Sequence, residues 1–349
     1  MNRKIILQII CIVILVIVLV VSVVKTLNLI NRYNPRQGMN KGMMEQETEK
    51  QTSAEDVKYG ENINKKNINL NEYTSNVTIN EAGEYNITGE FGYTLLINST
   101  QDVTIILNGV NIKNDTTAAI ANVGTGKLTI KLKEDTINNL TDGGSSEYDA
   151  CIYSIGELVI EGNGTLNIFA NQQEGEGIAT ESNNITINGG NINIECADDG
   201  LNAGGDGGII TINNGNIYIK ASGDGIDSNK DLVINGGNIY TMGSSVGGDA
   251  GIDTDGNFEI HGGTVIALGS DMLQTPNSSS KQKAICFNLK KVITSGSNII
   301  VKDENGIEII NFEAKENFKT LIVSNELVQS GTYYIYENSV KTDNSVTIK

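Results

Sequence analysis

From about residue 90 onward the chain repeats itself in short alternating runs that each close on a glycine turn: "VTIILNGVNI", "LVIEGNGTLNI", "ITINGGNINI", "ITINNGNIYI", "LVINGGNIYT" and "FEIHGGTVIA". The last apolar residue before each turn falls at Ile160, Ile187, Ile212, Ile234 and Ile260, in steps of 27, 25, 22 and 26 residues. A second anchor keeps the same period: Gly177-Ile178, Gly200-Leu201, Gly225-Ile226 and Gly251-Ile252 follow one another at 23, 25 and 26 residues. Within each run the apolar residues alternate with period two, as in Ile185-Thr186-Ile187, which excludes a helical solenoid. Short strands, glycine corners and a period of about 25 residues fit a parallel β-helix in which every coil adds one rung. An antiparallel sandwich would need two-residue hairpins between neighbouring runs, and "NGG" resembles one. The recurrence of whole motifs one period apart, Gly-Ile-Asp-Ser and then Gly-Ile-Asp-Thr, favours the solenoid.

The ends differ from the repeat. Residues 5–24, "IILQIICIVILVIVLVVSVV", form an apolar run as long as a helix needs to cross hydrocarbon. Arg3 and Lys4 precede it, which puts residues 1–4 in the cytoplasm and the bulk of the chain outside. No small-residue cleavage site follows, so the run reads as an uncleaved signal anchor of a single-pass cell-membrane protein. Residues 25–66 lack periodicity and aromatic density and read as a flexible linker. The solenoid is assigned to residues 67–290. After it, hairpin signals such as Glu304-Asn305-Gly306 replace the glycine-apolar-acid motif, so residues 291–349 are expected to form a small antiparallel β unit that covers the last coil. Cys151, Cys196 and Cys286 show no metal-binding spacing and read as core residues.

Charge narrows the partners. With 42 acidic and 25 basic residues, a formal charge of −17 and one histidine, the chain repels nucleic acid and favours cations, cation-bridged acids or neutral polymers. Aligned on the glycine-apolar pair, Glu176, Asp199 and Asp224 precede the glycine, with Asp249 one place further back. Two places after it stand Ala179, Asn202, Asp227 and Asp253. Rungs lie about 4.8 Å apart, so these acids should stack into columns in which each like-charged pair costs on the order of 1 kcal/mol even in water. Of the bases only Lys220 and Lys230 are near, and neither repeats. A hard divalent cation answers the repulsion, because Ca²⁺ gathers carboxylate, amide and carbonyl oxygens. The candidate ligands are Asp198, Asp199, Asn202, Asp224, Asp227, Asp249, Asp253 and Asp255. An isolated Asp-Gly is a turn former; an acid kept in register over three coils points further.

On the strand after each turn, Asn167, Asn193, Tyr218, Tyr240 and Ile266 share one outward position. Tyr218 and Tyr240 on neighbouring rungs would offer flat faces to sugar rings, with Asn193 bonding hydroxyls and Lys220 alongside. Strand propensity alone also favours exposed tyrosine. Paired carboxylates for glycoside hydrolysis abound in the columns, which makes no pair distinctive. A lyase would need a base, with Lys220 and Lys230 as candidates. His261 replaces an Asn of the "NGG" turns and reads as a turn residue.

"ITINGGNINIECADDGLNAGG", "IYIKASGDGIDSNKDLVINGGNIY" and "GGTVIALGSDM" resemble a bacterial extracellular family of carbohydrate-binding domain-containing proteins over roughly residues 90–340. The resemblance implies an all-β, right-handed parallel β-helix like that of pectate lyases, bound Ca²⁺, and binding rather than cleavage of cellulose and acidic sugars such as polygalacturonate in plant or cell-wall polysaccharide. The loops at 198–202 and 224–227 would carry it. Glu176 stands where an Asp is expected, so no cation is expected there. The expectation is therefore a membrane-anchored, extracellular, monomeric, Ca²⁺-dependent polysaccharide binder. The alternatives are a polysaccharide lyase and a surface adhesin or spacer.

Overall fold

A computed structural model describes residues 60–349 except 144–146, 171, 173–174 and 206. The apolar run at 5–24 and most of the linker lie outside the described residues, among which no helix is long and apolar enough to cross a membrane. The described part is all-β apart from one 3₁₀ turn, Leu70–Glu72, capped by the Asn69 side chain.

Each coil contributes three short strands, which stack into three faces of a parallel solenoid. The first face is a nine-stranded parallel sheet running from Glu61–Asn62 through Glu176–Thr180, Leu201–Ala203 and Ile226–Ser228 to Asp253–Thr254. The second holds Leu158–Gly162, Ile185–Ile187, Ile210–Ile212, Leu232–Ile234 and Phe258–Ile260. The third holds Thr165–Ala170, Asn191–Cys196, Asn216–Lys220, Asn238–Met242 and Thr264–Gly269. The last two faces join through Val103–Lys113, long enough to bend round a corner and pair on both.

The register is the one the repeat anchors imply. Ile160, Ile187, Ile212, Ile234 and Ile260 are successive partners, and all are fully buried. Their stacked side chains, with Ile178, Leu201, Ile226 and Ile252, form one continuous core. Each fully buried isoleucine contributes roughly 1.5–3 kcal/mol, so the alternation fixes which face of every strand turns inward. Cys151 and Cys196 are buried in this core as thiols and Cys286 is partly buried.

Both ends depart from the expected boundaries. Strand pairing begins at Glu61, inside the stretch expected to be linker, because Ile63 is buried and the Glu61 N–H donates to the Asn76 carbonyl. At the other end antiparallel structure begins at Ala284, before residue 291. Phe318–Ser324 pairs antiparallel with the last coil's Thr264–Gly269 and with Ala284–Ile293. The third face is thus continued in the opposite sense, and its last edge is paired. A separate antiparallel sheet, ordered Glu308–Glu313, Asn298–Asp303, Gly331–Glu337, Val340–Ile348, packs over the junction.

Candidate functional site

The acids come together on the first face. A Cβ on Gly177, Gly200 or Gly225 would sit 2.5 Å from the carbonyl oxygen of Gly200, Gly225 or Gly251. Successive corners therefore stack backbone on backbone, and the residue before each glycine is delivered to the same place. Asp199 Oδ1 accepts the Asp224 N–H at 2.6 Å, and Asp224 Oδ1 accepts the Ala250 N–H at 2.5 Å. Two places on, Ala179, Asn202, Asp227 and Asp253 are register partners in one column. The Asn202 amide donates to Glu176 Oε1 at 2.5 Å and to Asp199 Oδ2 at 3.4 Å. Among the described residues its own Oδ1, which is buried, has no hydrogen-bond partner.

Crowding shows in the titration of these groups. Burial pushes Asp199 up to about 7, opposed by the Asp224 N–H and reinforced by Asp198, Asp224 and Asp227. Asp224 rises to about 7, chiefly by burial, with Asp253, Asp227 and Asp249 adding to it. Asp227 rises to about 6 through burial and then Asp253, Asp255 and Asp198. Glu176 rises to about 9 through burial and Asp149, despite the Asn202 hydrogen bond. Asp249 and Asp253 are half-buried, Asp255 is exposed, and Asp253 accepts from Thr254 and Gln274. Among the described residues no lysine or histidine pairs with Asp199, Asp224, Asp227 or Asp253.

Among the described residues no three Asp, Glu, His or Cys side chains already close on one point as a metal cage. The donor chemistry nonetheless suits a hard cation, which also takes amide, carbonyl and water oxygens. Among the described residues the buried Asn202 oxygen has no partner, in a side chain whose amide nitrogen bonds two carboxyl groups, and the nearby Cys196 thiol is held protonated by burial and by Asp199. Next to the column a cavity of about 150 Å³ is lined by Asp149, Tyr153, Glu176, Glu181 and Asn202. Within it the Tyr153 hydroxyl donates to Glu181 at 2.6 Å.

The tyrosine pair forms but is not an open platform. Asn167, Asn193, Tyr218, Tyr240 and Ile266 are register partners as the alignment predicts, and the Tyr218 and Tyr240 rings stack at 5.7 Å and 14°. Phe312 from the C-terminal sheet meets Tyr240 edge-on at 5.8 Å, and the Tyr240 hydroxyl donates to the Glu313 carbonyl. Burial accordingly raises the Tyr240 pKa. Lys220 is held between Glu316 at 3.0 Å and Glu195 at 3.5 Å. What stays open on this column is exposed Asn193, its amide bonded to Asn167, and part of Tyr218.

Lys230 is exposed, and among the described residues only its backbone carbonyl is engaged, by Thr254. His261 occupies the turn place of Asn188, Asn213 and Asn235, its Nε2 3.0 Å from Glu259. The "NGG" corners also make a polar groove of about 260 Å³ lined by Asn163, Asn188, Asn191, Asn214 and Asn216. Its signal in the sequence is the Asn on both sides of each glycine turn.

Comparison with known proteins adds three findings. A family model described as carbohydrate-binding domain-containing protein matches residues 73–320. A curated carbohydrate-binding domain-containing protein of Acetivibrio thermocellus is 35% identical over 130 residues, which cover 34% of this chain and 44% of that protein, less than half its length. The solved structure of a polysaccharide lyase-like protein from C. thermocellum, a gadolinium derivative, shares 29% sequence identity over 54% of this chain and 83% of that one, with a TM-score of 0.44.

Proposed function

The chain belongs to the carbohydrate-binding domain-containing protein family, and from that premise we propose that it is a non-catalytic, Ca²⁺-dependent binder of acidic polysaccharide of the polygalacturonate type, with cellulose as a second ligand. It acts as a monomer, with a right-handed coil, the usual sense of parallel crossovers. Residues 5–24 hold it in the cell membrane with the solenoid outside.

One observation carries the reading: the Asn202, Asp227 and Asp253 column, flanked by Asp199 and Asp224, gathers carboxylates that among the described residues pair with no lysine, arginine or histidine. Asp199 and Asp224 each use one oxygen to accept an N–H from the next coil, which fixes their orientation. Asn202 bridges Glu176 and Asp199 through its amide nitrogen, and among the described residues its buried Oδ1 has no partner. Asp198, Asp249, Asp253 and Asp255 surround it at the level of charge. Bound Ca²⁺ would neutralise the column and offer positions to uronate carboxylates and sugar hydroxyls.

Binding rather than cleavage is favoured by the state of Lys220, one of the two candidate bases. Glu316, then Glu195, hold the Lys220 ammonium and raise its pKa, the opposite of what a general base requires. The test is calorimetric titration of the full-length, EGTA-stripped protein with Ca²⁺, followed by polygalacturonate. Heat of Ca²⁺ binding and Ca²⁺-dependent retention of polygalacturonate, both weakened in Asp199→Asn and Asp227→Asn, are expected. Indifference of both variants, or release of an ultraviolet-absorbing unsaturated uronate, would sink it.

A further inference from the structure

The outer face of the C-terminal sheet carries an aromatic and cationic patch that the acid column does not use. Along Gly331–Glu337 the side chains of Tyr333 and Ile335 are buried inward, and Tyr334 and Tyr336 face outward, half-exposed. Lys302 lies directly opposite Tyr334 and Lys341 opposite Tyr336. Each lysine reaches diagonally to the other ring: Lys341 Nζ is 3.4 Å from the Tyr334 ring centre and Lys302 Nζ 5.4 Å from that of Tyr336. Glu308 lies opposite Lys302 in the register and Asp343 follows Lys341 on its strand, yet among the described residues neither lysine has a carboxylate within ion-pair distance. In a chain of formal charge −17, two ammonium groups held over two aromatic rings and outside ion-pair distance of any described carboxylate are cations still open to an anion.

We propose that Tyr334, Tyr336, Lys302 and Lys341 form a second, cation-independent glycan site that takes a uronate residue of an acidic polysaccharide. A uronate ring has an apolar face to pack on tyrosine and a carboxylate to meet an ammonium. The two lysines offset part of the repulsion that an anionic chain meets on an acidic protein. An anionic membrane is the poorer occupant, since membrane recruitment draws on about four to eight clustered basic residues. In addition, the exposed apolar residues Ile307 and Val340 sit at turns on opposite ends of the sheet and form no wedge. The proposal rests on the reading that the chain binds polysaccharide, and not on the cation.

The experiment is titration of the full-length protein in EGTA with trigalacturonate, with cellotriose and anionic-lipid vesicles as comparison probes. Saturable binding of trigalacturonate, stronger than of cellotriose, is expected. It should weaken about tenfold in Lys302→Gln/Lys341→Gln, which keeps most of each stem over its ring, and in Tyr334→Ala/Tyr336→Ala. Tyr336→Phe should retain it. No binding in EGTA, equal binding by the lysine double variant, or binding to vesicles alone overturns the site. The increment that Ca²⁺ adds in the same series reports the acid column separately, so either site can fail without the other.

Discussion

Asp227 differs from its neighbours in what holds it. Asp199 and Asp224 accept backbone N–H groups from the next coil, which draws their pKa values down against burial. Among the described residues no hydrogen bond reaches the Asp227 carboxylate, and burial, Asp253, Asp255 and Asp198 all push it up. Removing its charge should therefore relieve strain when no cation is present. In EGTA at pH 8, Asp227→Asn is expected to raise stability by on the order of 1 kcal/mol while losing the Ca²⁺-induced gain, both read from thermal unfolding with and without the ion. The same groups set a pH dependence. Asp199 and Asp224 titrate near 7 and Asp227 near 6 against an ordinary value of 3.8, so the folded chain keeps protons that the unfolded chain has released. Stability in chelator should be highest below about pH 4 and decline as pH rises through about 6 to 7, with Glu176 extending the decline toward 9. A melting temperature in EGTA that rises between pH 5 and pH 8 would contradict this placement of the acids.

At the scale of the strand and corner, the glycine before each inward Ile or Leu is explained by close approach. Gly200 has no room for a methyl group: its Cβ would meet Ile219 Cγ2 at 2.2 Å and the Gly225 carbonyl at 2.5 Å. Because that carbonyl belongs to the stacked backbone, it cannot swing aside as a side-chain end would. Gly200→Ala and Gly225→Ala should each cost about 1–3 kcal/mol and shift the acid beside them, so the loss appears in unfolding midpoint and in Ca²⁺ uptake together. This is why the period was legible: the corner demands glycine, the core demands an inward apolar residue, and both recur whenever a coil closes. The columns followed directly, down to the partnership of Asn202 with Asp227. Contacts between distant segments left no such trace. Phe312 and Glu313 cover Tyr240 from 72 and 73 residues away, and period-two alternation marks Tyr240 as outward without saying what lies outside. The same holds for the first face, where Leu96, Ala121, Tyr153 and Ala179 extend the Asn202 column as a small apolar cluster. Neighbouring loops bury these outward positions, and nothing in the alternation distinguishes a covered outward residue from a wet one.

For the whole molecule the decisive balance is between an acidic solenoid and the surface that is proposed to carry it. A domain of this charge is repelled by an anionic bilayer, and the repulsion fades over a Debye length of about 8 Å at physiological ionic strength. Strand structure starts at Glu61, so a tether of roughly 35 residues between the apolar run and the solenoid would, if it behaved as a flexible coil, reach on the order of 30 Å. That would be several Debye lengths, at which the membrane field is screened. Anchoring by residues 5–24 then predicts a specific fractionation. The full chain should stay with membranes washed in high salt and at alkaline pH, because a spanning helix is not held by charge. Protease added outside intact cells should release the solenoid as a fragment beginning near residue 60, since folded coils resist cleavage while a tether does not. Recovery of the chain in the salt wash, or protection of the solenoid until cells are broken, would place it elsewhere. Shortening the tether by half should then weaken polygalacturonate capture by cells and leave the detergent-solubilised protein's affinity unchanged, an outcome that separates the effect of reach from any effect on the site.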